Sequence, residues 1–447
     1  LLLNALIMGS FLTMDFLVFY LFFEMTLLPV YFLIAMWGEK GRGQAAMQFF
    51  LYTLVGSILI LLVLIGLSLS AYDPIATGLQ AGLLAPGEAV TPAHLATIRH
   101  MVQTHAIAPQ DIVHTLSFVH LPDAQNLLPA SILSLQDTSY IGGQAVRLLA
   151  FMALFIGFGI KMAIVPLHTW LPDAHVAAPT PLSMVLAGVL LKLGGYGLLR
   201  TAYTIFPEGA LYYHLEIGMV GVLSILYAAM NATAMQDLKR MVAYASVAHM
   251  GFVLLGLSSL SHEGVHGAVY HMISHGLITT LLFGMVGVLD SRTHDRTIGH
   301  YGGLATKMPY YATVSILICF IALGVPGFSG FIGELLILLG VFQELGVGLP
   351  VWMGVLGALG KLLNAVYWIW TIQRVFLGAF ALPRTVREAS LQDLRVREYI
   401  MLLPLVVITL LLGLLPHWLL DTITEAVGLL VTRIHSVGQA QLELLVP

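Results

Sequence analysis

Three basic side chains stand inside otherwise apolar runs: Lys161 in ALFIGFGIKMAIVP, Lys192 in MVLAGVLLKLGGYG and Lys361 in GVLGALGKLLNAVY. Two carboxylates share that setting, Glu24 in FYLFFEMTLLPVYF and Glu334 in GVPGFSGFIGELLILLG. A charged side chain in hydrocarbon costs roughly 2.5 to 3.5 kcal/mol on insertion scales, so such groups persist where they face a partner or an internal water path. Between Lys161 and Lys192 the chain is broken by Pro166, His168, Pro172, Asp173 and His175, and Glu334 follows a second break at Pro326-Gly327. Proline removes backbone donors, and an interrupted helix at membrane depth survives inside a bundle or beside a cavity, where ion sites are found. A third group is histidine: His249 in AYASVAHMGF, with His271 and His275 four apart on one helix face. One buried histidine alone is a hydrogen-bonding core residue. Several beside fixed charges, titrating near neutrality, suit a proton relay.

The elements that position these groups follow from composition. In 447 residues, 58% are hydrophobic and 9% charged, far from the quarter or so of charged residues in a soluble domain. Apolar runs long enough to span a bilayer as helices recur along the chain. Helices are expected near 15–37, 44–71, 147–178 (broken), 180–204, 214–235, 241–260, 264–290, 310–343 (broken), 350–378 and 400–420. Of the 19 basic residues, twelve fall in one set of alternating loops and four in the opposite set (Arg99, Arg147, Arg200, Arg433). The remaining three are the lysines named above. The first set is therefore cytoplasmic. Two interrupted helices, each with Val-Pro at its break, point to an internally duplicated transporter with two inverted halves. One half is built around Glu24, Lys161 and Lys192, the other around the histidines and Glu334.

Four stretches divide the chain: 1–72 with the Glu24 helix, a polar insertion at 73–146, a transmembrane core at 147–420 and a short tail at 421–447. The insertion reads as short helices outside the membrane, opposite the cytoplasm. Its five histidines (His94, His100, His105, His114, His120) fit no metal-ligand spacing. His262, Glu263 and His266 spell H-E-x-x-H, which on a helix can hold zinc in an intramembrane protease. The motif contains Gly264, straddles a loop and a helix start, and lacks an obvious third ligand. A single cysteine, Cys319, excludes a disulfide and a multi-cysteine metal or redox site. There is no phosphate-binding loop and no basic patch for nucleic acid.

The stretch KMAIVPLHTWLPDAHVAAPTPLSMVLAGVLLKLGGYGLLR closely resembles the shared core of the antiporter-like subunits of respiratory complex I, Mrp antiporters and membrane-bound hydrogenases. The resemblance extends over about Asp15 to Tyr72 and Ala145 to Leu420. Glutamate rather than lysine at the second break, with a short region after Leu420, makes it most similar to the M-type branch. It implies an all-α polytopic bundle with two broken helices, truncated by about four helices at the N-terminus. It also implies proton translocation within an NADH:quinone oxidoreductase, next to N-type and L-type neighbours in a bacterial inner membrane, with no cofactor in this chain. The site residues it implies are Glu24, Lys161, Lys192, His249, His275 and Glu334, used in the order Lys161, Lys192, histidines, Glu334. A sodium/proton antiporter or hydrogenase subunit would share these motifs. The 73–146 insertion departs from the family's short connection, and Lys361 has no counterpart, reading as a snorkelling or structural residue.

Overall fold

The computed structural model describes residues 1–135, 140–141, 144–343, 348–383 and 391–445. Arg384 and Arg387, two of the twelve basic residues assigned to cytoplasmic loops, residues 136–139 and 142–143 of the insertion, and the last two residues of the tail lie outside them.

Among the described residues, eight helices are long and apolar enough to cross a membrane. After α1 (Leu2–Leu12), the first crossing joins α2 (Phe16–Met25) to α3 (Leu27–Trp37) through Thr26, and α4 (Arg42–Ser70) returns. Asp15 caps α2 by accepting from the amides of Leu17 and Val18, which satisfies donors that have no partner inside the helix. The broken pair α7 (Val146–Met162) and α8 (Trp170–Ala177) follows the insertion. Next come α9 (Thr180–Val185) and α10 (Leu191–Gly197), joined and followed by π-helical turns into one span, and short α11 (Pro207–Tyr212). The spans α12 (His214–Ala234), α13 (Leu238–Ser258) and α14 (His262–Thr293) complete the centre. The second broken pair is α15 (Pro309–Leu323) with α16 (Ser329–Phe342), and α17 (Val351–Thr371) and α18 (Val396–Leu414) close the bundle. All ten expected crossings are present, with ends displaced by a few residues.

Burial grades inward from a lipid-facing rim. The hydrophobic windows of α13 and α14 are 94% and 78% buried, whereas that of α18 is 28% buried, so α13 and α14 form the axis of the bundle. Close crossings depend on missing side chains: a Cβ on Gly56 would meet the Gly157 carbonyl at 2.8 Å, and one on Gly157 would meet the Gly56 carbonyl at 2.7 Å. Small residues of this kind let membrane helices approach through their backbones.

The insertion carries α5 (Pro74–Gln80) and α6 (Pro92–Gln103), which enclose a small core of Tyr72, Leu84, Ile98, Val102 and Ile107. Arg99 ties it together by donating to Asn126 (3.0 Å), Gln125 (3.1 Å) and Asp123 (2.7 Å). Burial pushes the Tyr72 phenol up to about 12, so it keeps its proton as a donor to the Gln125 carbonyl. Two short strands, β1 (Tyr140–Ile141) and β2 (Gln144–Ala145), pair antiparallel just before α7.

Three features differ from the sequence reading. The C-terminal segment is not a short tail: α19 (His417–Arg433) and α20 (Gln439–Leu445) run on through a π-helical turn and bury Val427, Val431 and Ile434 against the bundle. Arg147, placed in a loop by charge counting, is 2% exposed and paired to the fully buried Glu208 at 2.6 Å. Lys239, likewise assigned to a loop, is fully buried in the first turn of α13, donating to Glu39 (3.2 Å) and the Ala178 carbonyl (3.1 Å). Arg296 joins that cluster through Glu39 (2.8 Å) and Asp237 (3.3 Å).

Candidate functional site: a row of buried ionisable groups

At the first break, α7 ends on Ala163 in the left-handed region (φ 58°). Its released backbone groups find new partners: Trp170 Nε1 donates to the Ile160 carbonyl (2.9 Å), and the Val165 amide donates to Ser224 Oγ (3.0 Å). These contacts satisfy main-chain groups that lipid could not. Lys161, 5% exposed, lies in the last turn before the break. Its ammonium donates to Thr26 Oγ1 at 3.2 Å and rests over the Phe23 ring, 4.8 Å from its centroid. Glu24 bonds instead to Ser57 Oγ, which also meets Tyr20 Oη at 3.0 Å. The expected Glu24–Lys161 pair is therefore open: no ion pair joins the two among the described residues, and Thr26 and Phe23 hold the ammonium.

Lys192 follows the π-helical turn Leu186–Leu190, which displaces the carbonyl ladder. Its ammonium donates to the Ala187 carbonyl at 2.5 Å and to His275 Nδ1 at 2.9 Å. Lys192 thus belongs with the histidines rather than with the Lys161 half. Among the described residues no contact joins Lys161 directly to Lys192. His168 lies in the break and His175 on α8, its ring stacked on Phe283 at 4.5 Å with neither ring nitrogen hydrogen-bonded among the described residues.

From His275 the row continues by ring-to-ring contact, with no hydrogen bond between His275 and His249 among the described residues. The His275 ring lies 5.2 Å from that of His249, whose Nδ1 sits 3.2 Å from His271 Nε2 and 3.4 Å from Glu334 Oε1. All three histidines are at most 3% exposed and Glu334 is 4% exposed. The i, i+4 spacing of His271 and His275 on α14 brings both to α13, where His249 projects between them. The order is therefore Lys192, His275, His249, Glu334, with His271 beside His249. His271 was left out of the expected site residues because the family resemblance carries a role only to His249 and His275. Its spacing from His275 was the signal available.

The row ends on an unexpected residue. Lys361 Nζ lies 2.5 Å from Glu334 Oε2, so Lys361 neither snorkels nor merely packs. It sits 27 positions from Glu334 in sequence, on the next helix, and only tertiary packing joins them. His249, His271 and Glu334 also present ligand atoms within 4.8 Å of one another. The Lys361 ammonium against the same carboxylate opposes a metal cation there, since like charges at such range repel strongly in a low-dielectric interior. The H-E-x-x-H motif falls entirely within α14, which is capped by Ser261 and begins at His262. His266 Nδ1 engages the His262 carbonyl at 2.6 Å. The motif is not part of a three-ligand cluster among the described residues.

Comparison with known proteins agrees with this architecture. The family described as "NADH:quinone oxidoreductase/Mrp antiporter, TM" matches residues 13–73 and 118–360 and passes over most of the insertion. NADH-quinone oxidoreductase subunit M of Rhodobacter capsulatus is 38% identical over 98% of this chain and 75% of its own length. NADH-ubiquinone oxidoreductase chain 4 of Marchantia polymorpha is 34% identical over 96% of this chain and 73% of its own. A chain of respiratory complex I from Thermus thermophilus superposes with a TM-score of 0.70 at 28% identity, covering 100% of this chain and 78% of that one. The Mrp complex from Dietzia shares the fold, with a TM-score of 0.71 at 20% identity over 99% of this chain and 78% of that one. A row of buried lysines, histidines and a glutamate, set on two broken helices, is thus carried by a chain that belongs to the antiporter-like membrane-subunit family of NADH:quinone oxidoreductases and Mrp antiporters.

Proposed function

We propose that this chain is the M-type proton-translocating subunit of an NADH:quinone oxidoreductase in a bacterial plasma membrane, seated between N-type and L-type neighbours, with redox chemistry confined to other subunits. The observation that carries the reading is the closely spaced row from Lys192 through His275 and His249 to Glu334. It lies across the most buried helices of the bundle, where uncompensated charge is costly.

In this reading each residue has a proton task. Lys192 delivers a proton to His275 Nδ1 across the 2.9 Å contact. His275 and His249 pass it on, and Glu334 receives it as the last carboxylate of the row. Glu24 and Lys161 form the entry switch. When Glu24 leaves Ser57 and turns to Lys161, the pair closes and holds the lysine charged; when it returns, Lys161 falls back on Thr26. Coupling to quinone reduction is conformational or electrostatic, arriving from a neighbouring subunit. The test is proton transport per electron in the reconstituted complex. Lys192→Met, at normal assembly and electron transfer, is expected to lose most pumping through this subunit, and undiminished pumping would refute the row. Copurification of the other oxidoreductase subunits with this chain tests the assembly, and recovery with Mrp partners would assign it to an antiporter.

A further inference from the structure

Lys361, half-buried at the end of the row, is a charge that this scheme does not use, and three observations single it out. Among the described residues its ammonium has one partner, the Glu334 carboxylate at 2.5 Å, whereas Lys192 has two acceptors. Its position therefore depends on the charge of a single group, and neutralising that carboxylate removes its hold. Second, Gly324 closes α15 at φ +75°, and a Cβ there would lie 2.7 Å from Lys361 Nζ and 2.8 Å from Glu334 Oε2. Only glycine permits both the left-handed turn and the two head groups. Third, Asn364 lies one turn along the same face of α17 and is 4% exposed. Its Nδ2 donates to the Ala322 carbonyl at 3.3 Å, which leaves Oδ1 as a buried acceptor with no partner among the described residues. Buried polar atoms are satisfied by protein or water, so an unfilled acceptor one turn from an ammonium held by a single carboxylate offers it a second resting place.

We propose that Lys361 is a mobile counter-ion that gates Glu334, alternating between the carboxylate and the Asn364 side of α17. This rests on the reading of Glu334 as the terminal proton site. When a proton reaches Glu334 from His249, the N–H bond breaks and an O–H bond forms, and the neutral carboxyl no longer holds the ammonium. Lys361 then moves towards Asn364 Oδ1. Its return restores the ion pair as the carboxyl O–H gives its proton to water. Lys361 keeps its own proton throughout and acts as a positioning residue.

The test uses the assembled complex in proteoliposomes, reading protons moved per electron pair. Lys361→Met and Lys361→Gln are each expected to lower this ratio at least threefold where subunit content and electron transfer are normal, Asn364→Leu at least twofold, and Lys361→Arg is expected to keep more than half. Glutamine can still donate a hydrogen bond to the carboxylate, so a merely structural lysine predicts normal pumping in Lys361→Gln, and that result overturns the proposal. Should Lys361→Met fail to assemble, Lys361→Gln decides alone. Glu334→Gln run in parallel separates the two claims. If it fails while Lys361→Gln pumps normally, the gate is wrong and the row stands; if Glu334→Gln itself pumps normally, the row falls and the gate with it.

Discussion

Arg147 and Glu208 form an ion pair whose cost of disruption can be worked from its surroundings. The guanidinium is 2% exposed, Glu208 is fully buried, and the pair closes at 2.6 Å. Arg147 also donates to the carbonyls of Leu133 (2.9 Å) and Ile205 (3.3 Å) and stacks over Phe206 at 5.1 Å. It thereby joins the start of α7 to α11 and to the end of the insertion. Removing Glu208 leaves the guanidinium on two neutral acceptors, and breaking a buried pair costs roughly 3 to 5 kcal/mol. Glu208 Oε2 has no partner among the described residues, so the pair is incompletely satisfied and the lower end applies, about 3 kcal/mol, or roughly two powers of ten in an unfolding equilibrium. Replacing both partners with apolar side chains removes the stranded charge and is expected to be near neutral. We therefore predict that Arg147→Met and Glu208→Leu each destabilise the subunit strongly, and that the double variant recovers most of the loss. Denaturant or thermal unfolding of the purified complex in detergent, followed by retention of this subunit, supplies the cycle. Single variants costing under about 1 kcal/mol, or a double variant as damaged as the worse single, would refute the reasoning.

Other predictions bear on the row and on orientation. Glu24→Gln and Lys161→Ala should each strongly reduce pumping at normal assembly, and normal proton-to-electron ratios in both would reduce the Glu24 and Lys161 sites to a structural role. Glu334→Asp should retain part of the membrane-potential generation that Glu334→Gln loses; the reverse order would mark Glu334 as a neutral hydrogen-bonding group. Ala96→Cys, exposed on α6, should react with an impermeant thiol reagent from the non-cytoplasmic side, since the native Cys319 is buried. Labelling from the cytoplasmic side alone would invert the topology. Gly324→Ala should disturb both the α15 terminus and the Glu334–Lys361 contact, lowering pumping and subunit retention together; a variant normal in both would show that the glycine is dispensable.

The crossings were legible because a bilayer imposes length and hydropathy on every span, and the two Val-Pro breaks marked the interrupted helices. Glu334 and Lys192 were legible because a lone charge in an apolar run is anomalous. What it pairs with is a tertiary fact: Lys361 meets Glu334 from another helix, and Lys192 meets His275 rather than a carboxylate. Sequence order placed Lys192 with the first half, but the π-helical turn at Leu186–Leu190 lies beside the histidines of α14. Arg147, Glu208 and Lys239 were hidden for the opposite reason. They lie near helix ends, where charge is expected to be solvated, and are buried by the insertion, α11 and the Glu39 loop. The C-terminal helix was missed because its apolar positions are spaced for one-sided burial on the bundle, so no uniform membrane run announces it.

The imidazoles impose a direction and a count on any proton that crosses them. In the proposed relay His275 receives at Nδ1 from Lys192 and His249 delivers at Nδ1 towards Glu334, while the Nε2 atoms of both rings have no partner among the described residues. A proton entering one nitrogen and leaving from the other converts each ring to the opposite tautomer, because a neutral imidazole carries hydrogen on only one nitrogen. The wire is then discharged, and it cannot carry a second proton the same way until both rings have turned over. Those rings are nearly sealed in the bundle core, at 0% and 3% exposed, so rotation requires their helices to loosen around them. A relay of the proposed kind would work as an escapement, releasing one proton for each rewinding motion, with its count set by mechanics rather than by the size of the driving force.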